Sequence, residues 1–179
     1  ISAPAEMLGS IMTDPERYRG RLIIRPTEIT NNPEVIRRLG LIAMNNALEV
    51  DIYGNVNSTH VMGSRIISGI GGSCDFSRNA YLSVFFTLST AKGGRLSSIV
   101  PFCSHIDSTE HDVKIVVTEY GVADLRNCSP CERAPKLIAI AHPDYRPMLQ
   151  DYYERAVEKC ADGRGHTPHI LSEALSWHV

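Results

Sequence analysis

The period of the apolar positions changes repeatedly along the chain and predicts helices mixed with strands. Asp14-Pro15-Glu16-Arg17 reads as a cap and helix start. Leu22-Ile23-Ile24-Arg25 is a short apolar run closed by Pro26, which predicts a strand. Asn32-Pro33-Glu34 opens a helix, with Asn32 as N-cap and Pro33 at the first helical position. Val35, Ile36, Leu39, Ile42, Ala43 and Leu48 recur at helical spacing, with Arg37 and Arg38 on the other face, so that helix is expected to run on through them. Glu49-Val50-Asp51-Ile52-Tyr53 alternates as a strand does, and Gly54-Asn55 signals a turn. A second strand is expected from His60 to Ile67. Tyr81 to Thr87 and Leu96 to Pro101 read as strands flanking the polar loop Ala91-Lys92-Gly93-Gly94. Lys114 to Thr118 is nearly continuously apolar, as a buried strand is.

Two helices are expected after that, at about 129–141 from Ser129-Pro130 and at about 143–159 from His142-Pro143-Asp144. Pro135 should shorten or kink the first, because it lacks an N–H and its ring crowds the preceding turn. Residues 163–169 read as a loop and Leu171 to Trp177 as a last short helix. Residues 1–179 therefore read as a single α/β domain with a partly parallel sheet.

Composition narrows the function classes. The chain has 179 residues, 43% of them apolar and 21% charged, with a net charge of −2. That balance is ordinary for a globular domain with a real core. No basic patch points to nucleic acid, no apolar run is long enough to span a bilayer, and no stretch reads as a signal peptide. The first residue is Ile1 rather than Met, so the chain reads as a fragment or processed piece. Five cysteines form no even framework, which suits a reducing compartment. Cys128-Ser-Pro-Cys131 is a lone C-x-x-C without a second ligand pair at zinc spacing, and reads as incidental.

The chemistry concentrates in a few segments. Ser68-Gly-Ile-Gly-Gly-Ser-Cys-Asp-Phe76 holds three glycines within four positions, then Ser73 and Asp75 as N-cap residue types. Such a bend can deliver backbone N–H groups to an anion or a developing oxyanion; a plain glycine turn accounts for the spacing equally well. Gly69-Ile-Gly71 lacks the third glycine of a dinucleotide fingerprint, Cys74 standing there, and no Gly-Lys-Ser/Thr follows, so neither nucleotide motif applies. His105-Ile-Asp107-Ser-Thr-Glu110-His111-Asp112 carries five ionisable groups, yet lacks helical H-E-x-x-H spacing; a turn-capping loop is the plainer account, and no metal ligand is assigned. Glu119 follows a buried strand, a common catalytic placement in open α/β sheets, with an ion pair to Arg126 as the structural alternative. Lys92 suits a phosphate or simply solvent, and Glu49 with Asp51 is either an acid pair or an exposed strand face.

A long ordered series of motifs resembles the acetyl-CoA hydrolase/CoA-transferase family, in its succinyl-CoA:acetate branch. It runs from Arg25-Pro-Thr-Glu-Ile-Thr-Asn-Asn-Pro through Ala47-Leu-Glu-Val-Asp-Ile-Tyr-Gly-Asn-Val-Asn-Ser-Thr-His60 and Gly69 to Tyr81. It continues with Ser104 to Asp112, Thr118-Glu-Tyr-Gly-Val-Ala-Asp-Leu-Arg126, Ala141 to Tyr152 and Gly165-His-Thr-Pro-His169. The resemblance implies an open mixed sheet flanked by helices, the CoA-transferase-like second domain of a two-domain enzyme. It implies a glutamate that attacks an acyl-CoA thioester and passes through a glutamyl-CoA intermediate.

The family's nucleophile segment has no match here, so it is expected upstream, and the isolated chain is expected to be inactive. Gly72 matches an oxyanion-hole glycine, Glu119 a second active-site glutamate and Asn31 a site-lining asparagine. Ser68, Gly69, Gly71, Gly72 and Lys92 fall at CoA-contacting positions, with Ser68 replacing the usual Asn and Cys74 and Asn127 replacing usual glycines. Coenzyme A is implied as substrate and no cofactor as permanently bound. The implied partners are an acyl-CoA, a short carboxylic acid, the enzyme's own N-terminal part and a second copy in a homodimer, in the cytoplasm or a eukaryote's mitochondrion. Acetyl-CoA hydrolysis stays open beside transfer. So does a non-catalytic CoA or metal module using Cys128, Cys131, His105 and His111.

Overall fold

The computed structural model describes residues 4–161 and 165–178. In chain order the helices are α1 (Ala5–Thr13), α2 (Thr27–Thr30), α3 (Pro33–Leu39), α4 (Ser73–Asn79), α5 (Pro130–Ala139), α6 (Arg146–Lys159) and α7 (Leu171–Ala174). The strands are β1 (Ile42–Asn46), β2 (Glu49–Asp51), β3 (Val56–Asn57), β4 (His60–Val61), β5 (Arg65–Ile66), β6 (Leu82–Phe86), β7 (Thr90–Ala91), β8 (Leu96–Ser97), β9 (Ile99–Val100), β10 (Ile115–Thr118) and β11 (Gly121–Asp124). One sheet has the order β1-β6-β10-β11, a second the order β3-β2-β9, and β4-β5 and β7-β8 are separate ribbons. β1, β6 and β10 run parallel and β11 antiparallel, which is the expected mixed sheet.

The main core lies between the sheets and α5, α6 and the C-terminal segment. Val50, Ile52, Tyr53, Phe85, Val116, Leu125, Leu137, Leu149 and Tyr152 are all buried in it. Full burial of such side chains contributes about 1.5–3 kcal/mol each. A small second cluster, Ile36, Ala43 and Ala80, packs α3 and α4 against β1.

The long helix expected from Asn32 through Leu48 stops at Leu39. Asn32 caps it as expected, accepting from the N–H groups of Glu34 and Val35, but Gly40 at φ 61° ends it in the left-handed region. Glycine just past a helix is the ordinary stop signal, because it has no Cβ to strain there. Ile42 and Ala43 therefore belong to a strand whose alternation happened to continue the helical spacing. The strand expected at Leu22 to Arg25 does not form; its residues pair with no strand, and Ile23 and Ile24 stay exposed. Asp14 accepts from Arg17 N, but the helix that follows is a four-residue 3-10 turn, Pro15–Tyr18. The His60 to Ile67 strand is instead the tight ribbon β4-β5, turned at Met62-Gly63, both at positive φ.

α5 runs through Pro135 as one helix and ends at Ala139, short of the expected 141. The proline removes the donor that would have bonded the Cys131 carbonyl. Tyr153 Oη of α6 donates to that carbonyl at 3.0 Å instead, so the packing of α5 on α6 supplies the missing bond. α6 begins three residues later than expected, with Pro147 near its start. Of the loop expected at 163–169, Gly163 and Arg164 lie outside the described residues. Its end is fixed: Tyr53 Oη donates to the Pro168 carbonyl, and Tyr152 Oη accepts from Ile170 N and lies 2.9 Å from His169 Nδ1.

Candidate active site

The glycine bend delivers the chain into α4, but with different caps from those expected. Gly72 itself is the N-cap, Ser73 is already helical, and Asp75 faces outward to accept from Asn31 Nδ2 at 3.0 Å. A Cβ on Gly72 would stand 2.5 Å from Asn31 Nδ2 and 3.1 Å from the Phe76 ring. Gly72 and Asn31, forty-one positions apart in sequence, are thus packed against each other through a contact only glycine permits. Gly69 and Gly71 face open space, and only Gly71, at φ 55°, needs glycine for its backbone. Ser68 donates its hydroxyl to the Gly69 carbonyl. Cys74 donates its thiol to the Asp107 carbonyl at 3.1 Å, tying α4 to the 104–112 loop.

Glu119 sits just past the carboxyl end of β10 and is not paired with Arg126, whose guanidinium binds Asp124 instead. Its carboxylate accepts from Ser89 N at 2.8 Å and Ser89 Oγ at 2.5 Å. Burial works to raise its pKa, but the two Ser89 hydrogen bonds outweigh burial and hold the carboxyl below its ordinary value. Ser89 leads directly into the β7-β8 ribbon, so Glu119 anchors the arm whose tip carries Lys92 at φ 48°.

A groove runs along the carboxyl ends of the parallel strands. A cavity of about 400 Å³ is lined by Asn46, Phe86, Thr87, Leu88, Val117 and Glu119. A second of about 340 Å³ shares Asn46, Phe86, Thr87 and Leu88 with it and adds Leu48, Ala91 and Ser98. A third of about 260 Å³ shares Leu48, Ala91 and Ser98 and extends to Glu49, His60, Lys92 and Trp177. The three form one path from Glu119 to Lys92, where ligands of open α/β sheets bind. Asn46, Thr87, Leu88 and Ser89 line or adjoin this path without having been singled out in the sequence, and Leu48 was read there only as a helical position; their signal is position at or just beyond the ends of β1 and β6. Another cavity, about 440 Å³ between α6 and the C-terminal segment, is lined by none of the expected site residues.

The acidic and histidine clusters resolve differently. Asp51 is not on an exposed face: it is buried, accepts from Tyr53 N, Asn55 N and Asn55 Nδ2, and burial pushes its pKa up to about 6. Glu49 instead accepts from Ser104 N, Ser104 Oγ and Asn57 Nδ2, so the two carboxylates do not act as a pair. The 105–112 segment is mostly a clasp. Asp107 accepts from Ser58 N at 2.7 Å and Thr59 Oγ1 at 2.9 Å, Asp112 from Arg78, and Glu110 N donates to Asn55 Oδ1. Among the described residues, the group with metal-compatible spacing is His60, His105 and Asp107, within 4.8 Å of one another, not the set Cys128, Cys131, His105 and His111. Its acceptors are already engaged: His105 Nε2 lies 3.2 Å from Asp107 Oδ1, and Thr59 Oγ1 bridges His60 Nδ1 and Asp107. Cys128 instead accepts from Lys136 Nζ at 3.0 Å.

Comparison with known proteins identifies the family. Residues 11–153 match the acetyl-CoA hydrolase/transferase C-terminal domain. The succinyl-CoA:acetate CoA-transferase of Clostridium kluyveri is 58% identical over 180 aligned residues, covering 100% of this chain and 33% of that protein. An acetyl-CoA hydrolase of Schizosaccharomyces pombe is 52% identical over 168, covering 90% of this chain and 32% of its own length. The chain thus spans about a third of the curated relatives it matches. The crystal structure of a 4-hydroxybutyrate CoA-transferase from Porphyromonas gingivalis superposes with a TM-score of 0.57 at 36% identity, over 73% of this chain and 31% of that one.

Proposed function

Since the chain belongs to the acetyl-CoA hydrolase/transferase family, as its C-terminal domain, we propose that it is the CoA-binding third of an acyl-CoA:carboxylate CoA-transferase. The observation that carries this is the groove joining Glu119 to Lys92 along the carboxyl ends of β1, β6 and β10. Its apolar walls suit a pantetheine arm, and the Lys92 ammonium at one end suits the nucleotide phosphates as a flexible point charge. Gly72 N–H is the oxyanion donor, held beside Asn31, and Glu119 is the carboxylate facing the acyl end.

The reaction is split into easier steps. A glutamate upstream of this chain attacks the thioester carbonyl, expelling CoA thiolate and leaving a mixed anhydride. The thiolate attacks the glutamyl carbonyl, releasing the first acid and forming glutamyl-CoA. The acceptor carboxylate then attacks that thioester, expelling CoA thiolate and forming a second mixed anhydride, and the thiolate attacks its acyl carbonyl to give the new acyl-CoA and free the glutamate carboxylate. By likeness to the Clostridium kluyveri relative, the donor is succinyl-CoA and the acceptor acetate, with acetyl-CoA the product (or the donor in the reverse direction). The intact enzyme is a homodimer acting in the cytoplasm, or in a eukaryote's mitochondrion, which light scattering and a fluorescent fusion test.

The test is a chimaera in which this chain replaces the matching third of the Clostridium kluyveri enzyme. It should transfer CoA from succinyl-CoA to acetate, whereas the isolated chain should not turn over. Lys92→Ala in the chimaera should raise KM for the CoA ester at least about tenfold, the worth of one hydrogen bond to a charged group. An inactive but folded chimaera, or comparable turnover by the isolated chain, contradicts the proposal. Hydrolysis is the second reading, favoured by the Schizosaccharomyces pombe relative. Thioester loss that proceeds unchanged without acetate selects it, because the two reactions differ only in whether water reaches glutamyl-CoA.

A further inference from the structure

One face of the four-stranded sheet is covered and the other is not. Ala43, Phe85, Val116 and Ala123 point into the cores under α3, α4 and α5. The register sets Ile42 beside Leu82, Met44 beside Val84, Val84 beside Ile115, Phe86 beside Val117, and Val117 beside Val122. These alternate residues share the opposite face. That face is largely apolar, with Asn46 beside Phe86 on one edge strand and Asp124 beside Ile115 on the other; Val84 at its centre is only 8% exposed, but Ile42, Met44 and Val122 are 57%, 71% and 64% exposed. Sheets with parallel strands occur with both faces covered, and a contiguous apolar patch of this kind marks a contact surface.

Two observations identify what covers it. The relatives are about three times as long as this chain, so as much as two thirds of such an enzyme lies outside it. The bare face also ends at Phe86 and Val117, which line the Glu119 cavity. Polypeptide packed on this face reaches Glu119 without crossing α3, α4 or α5. We propose that the segment of the enzyme upstream of this chain packs on the face formed by Ile42, Met44, Leu82, Val84, Phe86 and Val122. In doing so it closes the Glu119 cavity and brings the nucleophilic glutamate to it. The proposal rests on the reading of the chain as the C-terminal third of a longer enzyme, but not on which acyl-CoA is used.

Native methionines report the contact directly. Met44 lies on the face at the edge strand β1, beside Val84, while Met148 on α6 is 56% exposed and serves as the internal control. Both should be oxidised by dilute hydrogen peroxide at similar rates in the isolated chain, followed by peptide mass spectrometry. In the chimaera Met44 oxidation should slow at least tenfold while Met148 is unchanged. Met44→Lys should abolish co-elution of this chain with the separately expressed upstream two thirds, with unchanged circular dichroism of the isolated chain. Equal Met44 oxidation in chain and chimaera overturns the proposal. Protection already present in the isolated chain, rising with its concentration, also overturns it in favour of a second copy. Neither readout depends on turnover, so failure of the CoA-transfer assay and failure of this docking surface remain distinguishable.

Discussion

Gly72 is fixed by a neighbour rather than by its own backbone angles. Its φ of −93° is open to any residue, but a Cβ would meet Asn31 Nδ2 at 2.5 Å. Gly72→Ala in the intact enzyme should therefore displace Asn31 and the N–H it flanks, lowering kcat about 10²-fold, as roughly 1 Å of misplacement does. Gly9→Ala on α1, outside the site and with nothing within 4 Å, should leave steady-state rates unchanged. At Asp51 the prediction concerns pH. Burial raises this carboxyl from 3.8 to about 6, so between those values the folded chain keeps a proton that the unfolded chain has released. Stability should fall as pH rises through that window, by an amount on the order of 3 kcal/mol. Urea melts of Asp51→Asn against the unaltered chain from pH 4 to 7 should show the wild-type decline flattened in the variant. Glycine spacing made the bend legible in the sequence, and the motif series offered Asn31, Lys92 and Glu119 as candidates. The burial of Asp51 and the Ser89 grip on Glu119 were not legible, because both depend on partners thirty or more residues away or on a fold-level inside and outside.

Elements were legible where a local rule decides and illegible where two rules compete. Asn32 and Pro33 gave the start of α3, but its end lay in Gly40, outweighed by an apolar periodicity that continued by coincidence into β1. Pro135 shows the converse, a local breaker overruled by packing. Tyr153 Oη replaces the donor that Pro135 lacks at the Cys131 carbonyl. Tyr153→Phe should cost about 0.5–1.5 kcal/mol beside Pro135 and less in a Pro135→Ala background, where the backbone N–H is restored. A double-mutant cycle read by chemical denaturation should return that coupling, and additivity would rule the substitution out. The C-terminal segment was readable only as a loop. Its anchoring joins Tyr53 to Pro168, 115 positions apart, and Tyr152 to His169, 17 apart, beyond any periodic signal.

At the scale of the whole molecule, the groups assigned to the proposed reaction lie in two places. Glu119, Lys92 and the groove between them lie along one strand end, Gly72 and Asn31 sit together at the start of α4, and an apolar sheet face runs up to the Glu119 cavity. The α/β class and mixed sheet were legible from strand and helix alternation. The groove was not, since strand order decides which loops meet. The central claim is that this domain shapes the CoA site while the covalent glutamate lies upstream. Trapping settles it most directly: the chimaera is incubated with succinyl-CoA, and the glutamyl-CoA thioester is reduced with borohydride and mapped by tandem mass spectrometry. The modified glutamate should fall in the upstream two thirds, with residues 1–179 unmodified; an adduct on Glu119 or Glu49 would contradict the account.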